Sequence, residues 1–312
     1  MSRNSLKLGT RGSALALWQA NWVKSELERR FPDVTVELEK IKTTGDKILD
    51  VPLAKIGGKG LFTKEIDEAM LDGRIDIAVH SLKDVPFQLP DGIQLAAVPE
   101  REDSRDAFLS NGPKLHELKP GAVIGTSSLR RQVQLRHHFP ALDLVMLRGN
   151  VDTRLRKLAE GQFDGIVLAV SGLKRLGHEN RITQILDDDL MVSAVGQGAL
   201  GIVCRTGDSR TERLLSALDH ADTRTAVTAE RALLRTLGGS CQIPVACKAR
   251  ISGGRIHLIG LVASLDGRRV LREELDGPTS DGFQVGLDLG SRLLSAGAAE
   301  ILAEIIAHES QG

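Results

Sequence analysis

Tyrosine is absent from this 312-residue sequence, and aromatic residues of all kinds make up only 3% of it. A platform on which bases or sugars stack is hard to build from so few rings. Net charge is missing too: 41 Lys and Arg balance 41 Asp and Glu. That argues against a general polyanion or nucleic-acid binder, while leaving local clusters open. The three cysteines, Cys204, Cys241 and Cys247, form no CxxC and have no histidine nearby in sequence. Neither a zinc site nor a disulfide framework is expected, and no metal. No apolar run approaches membrane-spanning length, and Met1-Ser2-Arg3-Asn4 opens no signal core. A cytoplasmic chain with no membrane partner is expected.

The length is too great for one core and predicts two or three domains. Leu6-Lys7-Leu8 reads as a strand ending in Gly9-Thr10-Arg11-Gly12-Ser13, where Ser13 caps a helix carrying Leu15, Leu17, Trp18, Trp22, Val23 and Leu27. Residues 34–41 alternate as a strand. Residues 43–60, with Gly57-Gly58-Lys59-Gly60, form a connection long enough to be a lid, with Lys55 and Lys59 as anion contacts. A helix with Phe62, Ile66, Ala69 and Met70 on one face follows. Residues 75–79 then form a buried strand that delivers His80-Ser81-Leu82-Lys83-Asp84-Val85-Pro86. In open α/β sheets, ligands bind at that end of a strand. Lys83 and Asp84 would point opposite ways in a strand; on a loop both reach one cleft.

Residues 98–104 are polar, contain a proline and read as a linker, after which the βα alternation restarts. Strand 123–125 ends in Thr126-Ser127-Ser128, and the following helix carries Arg130 and Arg131 in its first turn. Arginines there oppose the helix dipole, so an anionic ligand is expected to compensate them. Strand 142–147 repeats the device with Arg148-Gly149-Asn150, Asn150 as cap and Arg154 one turn in. Strand 166–170 ends at Ser171-Gly172-Leu173-Lys174-Arg175. Residues 194–200 are glycine-rich, and strand-like Gly201-Ile202-Val203-Cys204-Arg205 follows. This reads as a second hinge returning the chain to the first domain.

A helix over 208–218, another from Asp222 to Leu237, three strands (245–251, 255–263, 269–275) and one long helix (283–307) complete the pattern. Cys241 sits behind Gly238-Gly239-Ser240, on the turn between a helix and a strand, where a bulky group can come close. The expected fold is α/β: two periplasmic-binding-protein-like domains joined by two crossings, plus a small C-terminal α+β domain. The boundaries are 1–98 with 199–218, then 104–193, then 221–312. Such an architecture puts ligands in the interdomain cleft. Many arginines there suit several carboxylates rather than one phosphate, because arginine binds carboxylate bidentately. On the residues alone, Cys241 is a nucleophile or a covalent tether, and a non-catalytic organic-anion binding protein remains the alternative.

The resemblance to a known family is specific. Gly9-Thr10-Arg11, the run from Pro52 to Phe62, the run from Ala78 to Pro86, Gly125-Thr126-Ser127-Ser128-Leu129-Arg130-Arg131, Leu147-Arg148-Gly149-Asn150, Ala194-Val195-Gly196-Gln197-Gly198 and the Cys241 turn resemble the porphobilinogen deaminase (hydroxymethylbilane synthase) family, in the expected order. Beyond about residue 253 only the pattern is similar. The resemblance implies a monomeric transferase of tetrapyrrole and heme biosynthesis. One dipyrromethane cofactor per chain would be held by Cys241 through a thioether. Four porphobilinogen molecules would be deaminated and condensed head-to-tail on it, and hydrolysis would release hydroxymethylbilane. It implies that Asp84 hydrogen-bonds pyrrole N–H groups and is catalytic with Arg11, Arg148 and Arg154. Lys83, Asp84, Ser81, Thr126, Ser127, Ser128, Arg130 and Arg131 would bind cofactor. Arg11, Ser13, Arg148, Gly149, Arg154, Gln197, Arg175, Arg205 and Arg231 would serve substrate, and Lys55, Lys59 and Phe62 would belong to the lid. Two departures stand out: the family often has Glu-Gly-Gly-Cys at the tether, and many relatives have Gln where this chain has Gly12.

Overall fold

The computed structural model describes residues 5–47, 63–238 and 243–309. The first sheet is assembled from both ends of the two-crossing chain. Strand β1 (Ser5–Thr10) leads into α1 (Ala14–Arg30), then β2 (Thr35–Lys40), the short α2 (Thr44–Lys47), α3 (Lys64–Leu71), β3 (Ile77–Ser81) and β4 (Ile93–Ala97). The second sheet uses β5 (Asp106–Ser110), β6 (Val123–Gly125), α4 (Leu129–His138), β7 (Asp143–Val145), α5 (Val151–Ala159), β8 (Gly165–Ala169), α6 (Val170–Arg175) and β9 (Gln184–Leu186). The chain then returns through β10 (Leu200–Arg205) and α7 (Ser209–Ser216).

The strand orders are β2-β1-β3-β10-β4 and β7-β6-β8-β5-β9. In each, three parallel strands are joined by βα units, and an antiparallel strand is inserted beside them: β10 against β3, and β5 against β8. The inserted strand is in each case the one entered from a crossing. Parallel strands with helices on their faces are buried and read as apolar runs. Thus Ile77, Ala78 and Val79 in β3 and Ile166, Val167 and Leu168 in β8 are all buried.

Several elements differ from the sequence expectation. The sequence pattern does not announce strands β4, β5 and β9; β5 opens on a charged residue, Asp106, and β9 has only three residues, too short for a periodicity to register. The expected single helix over 283–307 is instead α9 (Gly282–Leu293), a π-type segment (Leu294–Ala298) and α10 (Ala299–Glu309). The break falls at Gly297, whose φ of 109° no helix accommodates.

The last layer packs α8 (Ala221–Thr236) and α9 on one face of an antiparallel sheet of β11 (Val245–Ser252), β12 (Arg255–Ala263) and β13 (Val270–Pro278). Its core holds Leu233, Leu258, Val262, Leu289 and Leu293. Cys247 is fully buried within it, and Cys204 within the first core. Burial pushes both thiols up, Cys204 to about 11, so they pack as small apolar groups. Among the described residues no helix is long and apolar enough to cross a membrane, and no group of three or more His, Cys, Asp or Glu could hold a metal ion.

Candidate active site

β1 and β3 are parallel neighbours, with Leu8 opposite Ile77 and Gly9 opposite Ala78. Their carboxyl ends therefore deliver two loops to one sheet edge. After β1, Ser13 caps α1 by accepting from the Ala16 N–H at 3.3 Å. After β3, Leu82–Asp84 form one 3₁₀ turn, so Lys83 and Asp84 leave strand alternation behind. Gln19, buried on α1, donates to Ser81 Oγ at 2.8 Å. Arg11, Ser13, Gln19, His80, Ser81 and Asp84 wall a single pocket here.

The second sheet presents its own strand ends. Arg130 and Arg131 lie in the first turn of α4 and are 5% and 6% exposed, which means their charges have a partner inside the protein. That partner is Asp106 at the head of β5. Arg130 Nη1 donates to Asp106 Oδ2 at 2.7 Å, and Arg131 Nη2 to Oδ1 at 2.7 Å. Gln197 on the return crossing donates to Oδ1 at 2.9 Å. Burial pushes the Asp106 carboxyl up, but the two guanidiniums outweigh it and hold it well below the usual carboxylate range. The compensation expected from a bound anion is thus supplied in part by a residue 24 positions upstream.

The two clusters meet across the cleft. Lys83 Nζ lies 3.4 Å from Gln197 Oε1. Burial pushes the Lys83 ammonium down to about 8; Asp84 and Asp106 pull it up while Arg131 and Arg130 push it further down. Arg154, whose Nε donates to the Gly149 carbonyl at 2.8 Å, is pushed down to about 10 by burial and by Arg131 and Arg148, with Asp84 opposing. Lys83, Arg130, Arg131, Arg148 and Arg154 thus share one field, which Asp84 and Asp106 oppose. Cations held this close destabilise each other until an anion arrives. Arg130 Nε is also buried without a hydrogen-bond partner. An orphan guanidinium N–H inside an excess of positive charge fits a ligand with several carboxylates.

Other predicted residues land as follows. Asn150 caps α5, accepting from the Thr153 N–H at 2.8 Å. Ser127 Oγ donates to the Leu147 carbonyl at 2.6 Å, joining two of the strand-end loops. Thr126 Oγ1 accepts from the Ser128 N–H at 3.3 Å, whereas Ser128, at the cap position of α4, makes no capping bond with its side chain. Arg175 spans the two domains, donating to the Gly198 carbonyl at 2.7 Å with its guanidinium 5.6 Å from the Trp18 ring centre; burial pushes it down to about 10, with Glu102 opposing.

Arg205 is a correction. It ends β10, but β10 runs antiparallel to β3, pairing Leu200 with Ser81 and Cys204 with Ile77. Its carboxyl end therefore lies at the edge of the sheet away from Asp84. There Arg205 donates to the Met70 and Ile75 carbonyls and to Asp76. Arg231 donates to the carbonyls of Val85, Pro86 and Phe87, gripping the loop just after Asp84 from α8. Cys241, Lys55, Lys59 and Phe62 lie outside the described residues, although α8 and β11 bracket the cysteine's turn on either side. Sequence reasoning missed Asp106, Gln19 and Glu230. The available signal for Asp106 was an acid opening an otherwise apolar run, Ala107-Phe108-Leu109, directly after a linker.

The fold is a two-domain α/β protein with a third, α+β layer, and the cations gathered at its strand ends suit a ligand with several carboxylates. The family model described as "Porphobilinogen deaminase, dipyromethane cofactor binding domain" matches residues 6–213, and "Porphobilinogen deaminase, C-terminal domain" matches 224–295. The chain is 53% identical over 309 residues to the porphobilinogen deaminase of Trichlorobacter lovleyi, covering 99% of each chain. It is 54% identical to that of Geobacter sulfurreducens, covering 99% of this chain and 97% of the relative. Among solved structures, the methionine binding protein MetQ is similar over 70% of this chain and 90% of its own, at 14% identity and a TM-score of 0.46.

The chain belongs to the porphobilinogen deaminase family. It is a transferase of tetrapyrrole synthesis, with porphobilinogen as substrate and dipyrromethane as cofactor.

Proposed function

We propose that the cleft between the first two sheets is where porphobilinogen is deaminated and joined, with Asp84 as the catalytic carboxylate. The observation that carries this is that five cations from two domains, Lys83, Arg130, Arg131, Arg148 and Arg154, feel one another's charge beside the Leu82–Asp84 turn. Bound through Cys241, the dipyrromethane supplies the pyrrole primer onto which substrate is condensed. Lys83, Ser81, Thr126, Ser127, Ser128, Arg130 and Arg131 hold its carboxylates. Arginine suits this task because it stays charged while the ligand gains two carboxylates with each cycle.

Arg11, Arg148 and Arg154, with Ser13 and the Gly149 backbone, orient the carboxylates of incoming porphobilinogen. Asp84 accepts the substrate's pyrrole N–H and stabilises the positive charge that grows on the ring as ammonia leaves. Its carboxylate oxygens are also placed to take up the proton lost when the ring regains aromaticity. Gln197 and Arg175 act at the crossings rather than on substrate: one ties Asp106 to the return strand, the other ties α6 to the Gly198 carbonyl. Arg231 positions Asp84 through the 85–87 carbonyls. The domain boundaries follow the crossings, at 98–104 and near 199. We also place the protein in the cytoplasm as a monomer without nucleic acid, a reading supported by its balanced charge and scarce aromatics and by two buried, unpaired thiols.

Intact mass spectrometry tests the reading. The purified chain should exceed its sequence mass by two linked pyrrole units, and Cys241→Ser should remove the excess along with turnover of porphobilinogen. An unmodified wild-type chain that stays inert with porphobilinogen would refute it.

A further inference from the structure

We propose that Gly149 is a positioning residue: its carbonyl holds Arg154 by Nε, which leaves both Nη groups for a pyrrole carboxylate and keeps the guanidinium off Asp84. This rests on the cleft being the porphobilinogen site, and it says how one arginine of that site is aimed.

Gly149 has a φ of 115°, in the left-handed region that favours glycine. A Cβ there would stand 2.7 Å from Thr153 Cγ2 and 2.8 Å from Thr153 Cβ, on the first turn of α5. That turn is itself pinned. Asn150 Oδ1 accepts from the Thr153 N–H at 2.8 Å, and the Asn150 carbonyl accepts from the Arg154 N–H at 3.1 Å. The carbonyl one residue earlier, that of Gly149, accepts from Arg154 Nε at 2.8 Å. Arg154 is thus held by main chain and side chain on two successive carbonyls.

An arginine side chain has five N–H donors, and this bond uses the one on Nε. Among the described residues, Arg154 Nη1 and Nη2 donate to no protein acceptor, and neither is enclosed. The residue is part-exposed, so the fork is within reach of a ligand. Its neighbours make the aim matter. Arg131 and Arg148 repel the guanidinium and Asp84 attracts it, yet among the described residues no hydrogen bond joins it to Asp84. Released from Gly149, a side chain this long would be drawn to that carboxylate. The pair would cancel the charge that Asp84 offers to the reacting ring and would fill the fork. The Gly149 carbonyl is neutral, so it holds the guanidinium without cancelling either charge. The open fork then takes a carboxylate bidentately.

The test uses cofactor-loaded wild type, Gly149→Ala, Arg154→Ala and the double variant, with loading checked by intact mass. Turnover of porphobilinogen is measured beside calorimetric binding of an unreactive analogue with methyl in place of the aminomethyl group. Gly149→Ala should lower kcat/KM about tenfold to a hundredfold, the scale of a displaced positioning group, and weaken the analogue about tenfold. On the Arg154→Ala background the same change should weaken it less than about twofold. Equal factors on both backgrounds overturn the proposal, because the glycine would then act without the arginine. Should Gly149→Ala not fold, the Nε contact is tested in Arg154→Ala alone. Ethylguanidinium replaces the missing side chain, and butyramidinium has the same shape and charge with a methylene in place of the Nε–H. Both carry the fork, but only the first can donate to the Gly149 carbonyl. Ethylguanidinium should restore analogue affinity, and butyramidinium should do so about tenfold less well. Equal recovery, or none with either cation, overturns the proposal. Failure of the wild type itself on porphobilinogen would strike the proposed function instead.

Discussion

Asp84 and Asp106 stand in different surroundings, one on a pocket wall and the other enclosed by protein donors. Asp106 is fully buried and answers to three protein donors, Arg130, Arg131 and Gln197. Asp84 ends a 3₁₀ turn on the pocket wall. Asp84→Ala should therefore keep the cofactor by intact mass yet slow turnover at least about a hundredfold, the usual weight of a charge-stabilising or proton-moving group. Asp106→Asn should act on stability, because it leaves two buried guanidiniums without their counter-charge. A loss of about 3–5 kcal/mol in urea unfolding is expected.

The pH dependence at this scale belongs to His80. Its pKa is about 4 when folded and 6.5 as the ordinary value. Between those limits the unfolded chain binds the extra proton, so stability rises with pH through the window and falls on acidification. A shift of this size corresponds to on the order of 3 kcal/mol. His80→Leu should remove that acid-sensitive portion, so wild type and variant unfolding curves should converge or cross as pH drops from 6.5 to 4.

At the scale of elements, most strands and helices were legible because their periodicity is local. The β3 run Ile77-Ala78-Val79 and the α8 stripe Ala226, Ala229, Leu233 are buried as their spacing demands. Strand β5 was obscured by Asp106, because a charged residue at a buried strand's start looks like loop until its partners are known. Arg205 was misplaced for a related reason: a strand's own pattern does not reveal whether its neighbour runs with it or against it. The contact of α8 with α9 is likewise non-local. A Cβ on Gly286 would stand 2.1 Å from the Ala229 carbonyl oxygen of α8. Gly286→Ala should force the helices apart and cost about 1–3 kcal/mol, read as a lower urea midpoint.

For the molecule as a whole, Glu230 joins what the sequence separates. It is fully buried on α8 and accepts from Arg101 on the outward crossing, at 2.6 and 3.2 Å. It also accepts from the Gly196 N–H on the return crossing at 2.7 Å and the Ala249 N–H of β11 at 2.8 Å. One residue later, Arg231 holds the loop after Asp84. The helix leading to Cys241 is thereby fastened to both crossings and to the loop after Asp84. Glu230→Ala should unfold the protein about 3–5 kcal/mol more easily, since Arg101, whose side chain is only 12% exposed, is then left without its carboxylate.

The chain's order alone determined the repeated strand–loop–helix units, the hydroxyls and cations at their ends, and the cysteine behind two glycines. Those are properties of neighbours within a few residues, where spacing and side-chain type decide the outcome. Only the folded structure decided that Arg130 and Arg131 share Asp106, that Arg205 faces the other edge, that His80 is left with an unanswered nitrogen, and that Glu230 binds three distant segments. Each depends on which strand lies beside which and in what direction, and burial makes such long-range pairings binding by removing the water that would otherwise satisfy each charge separately.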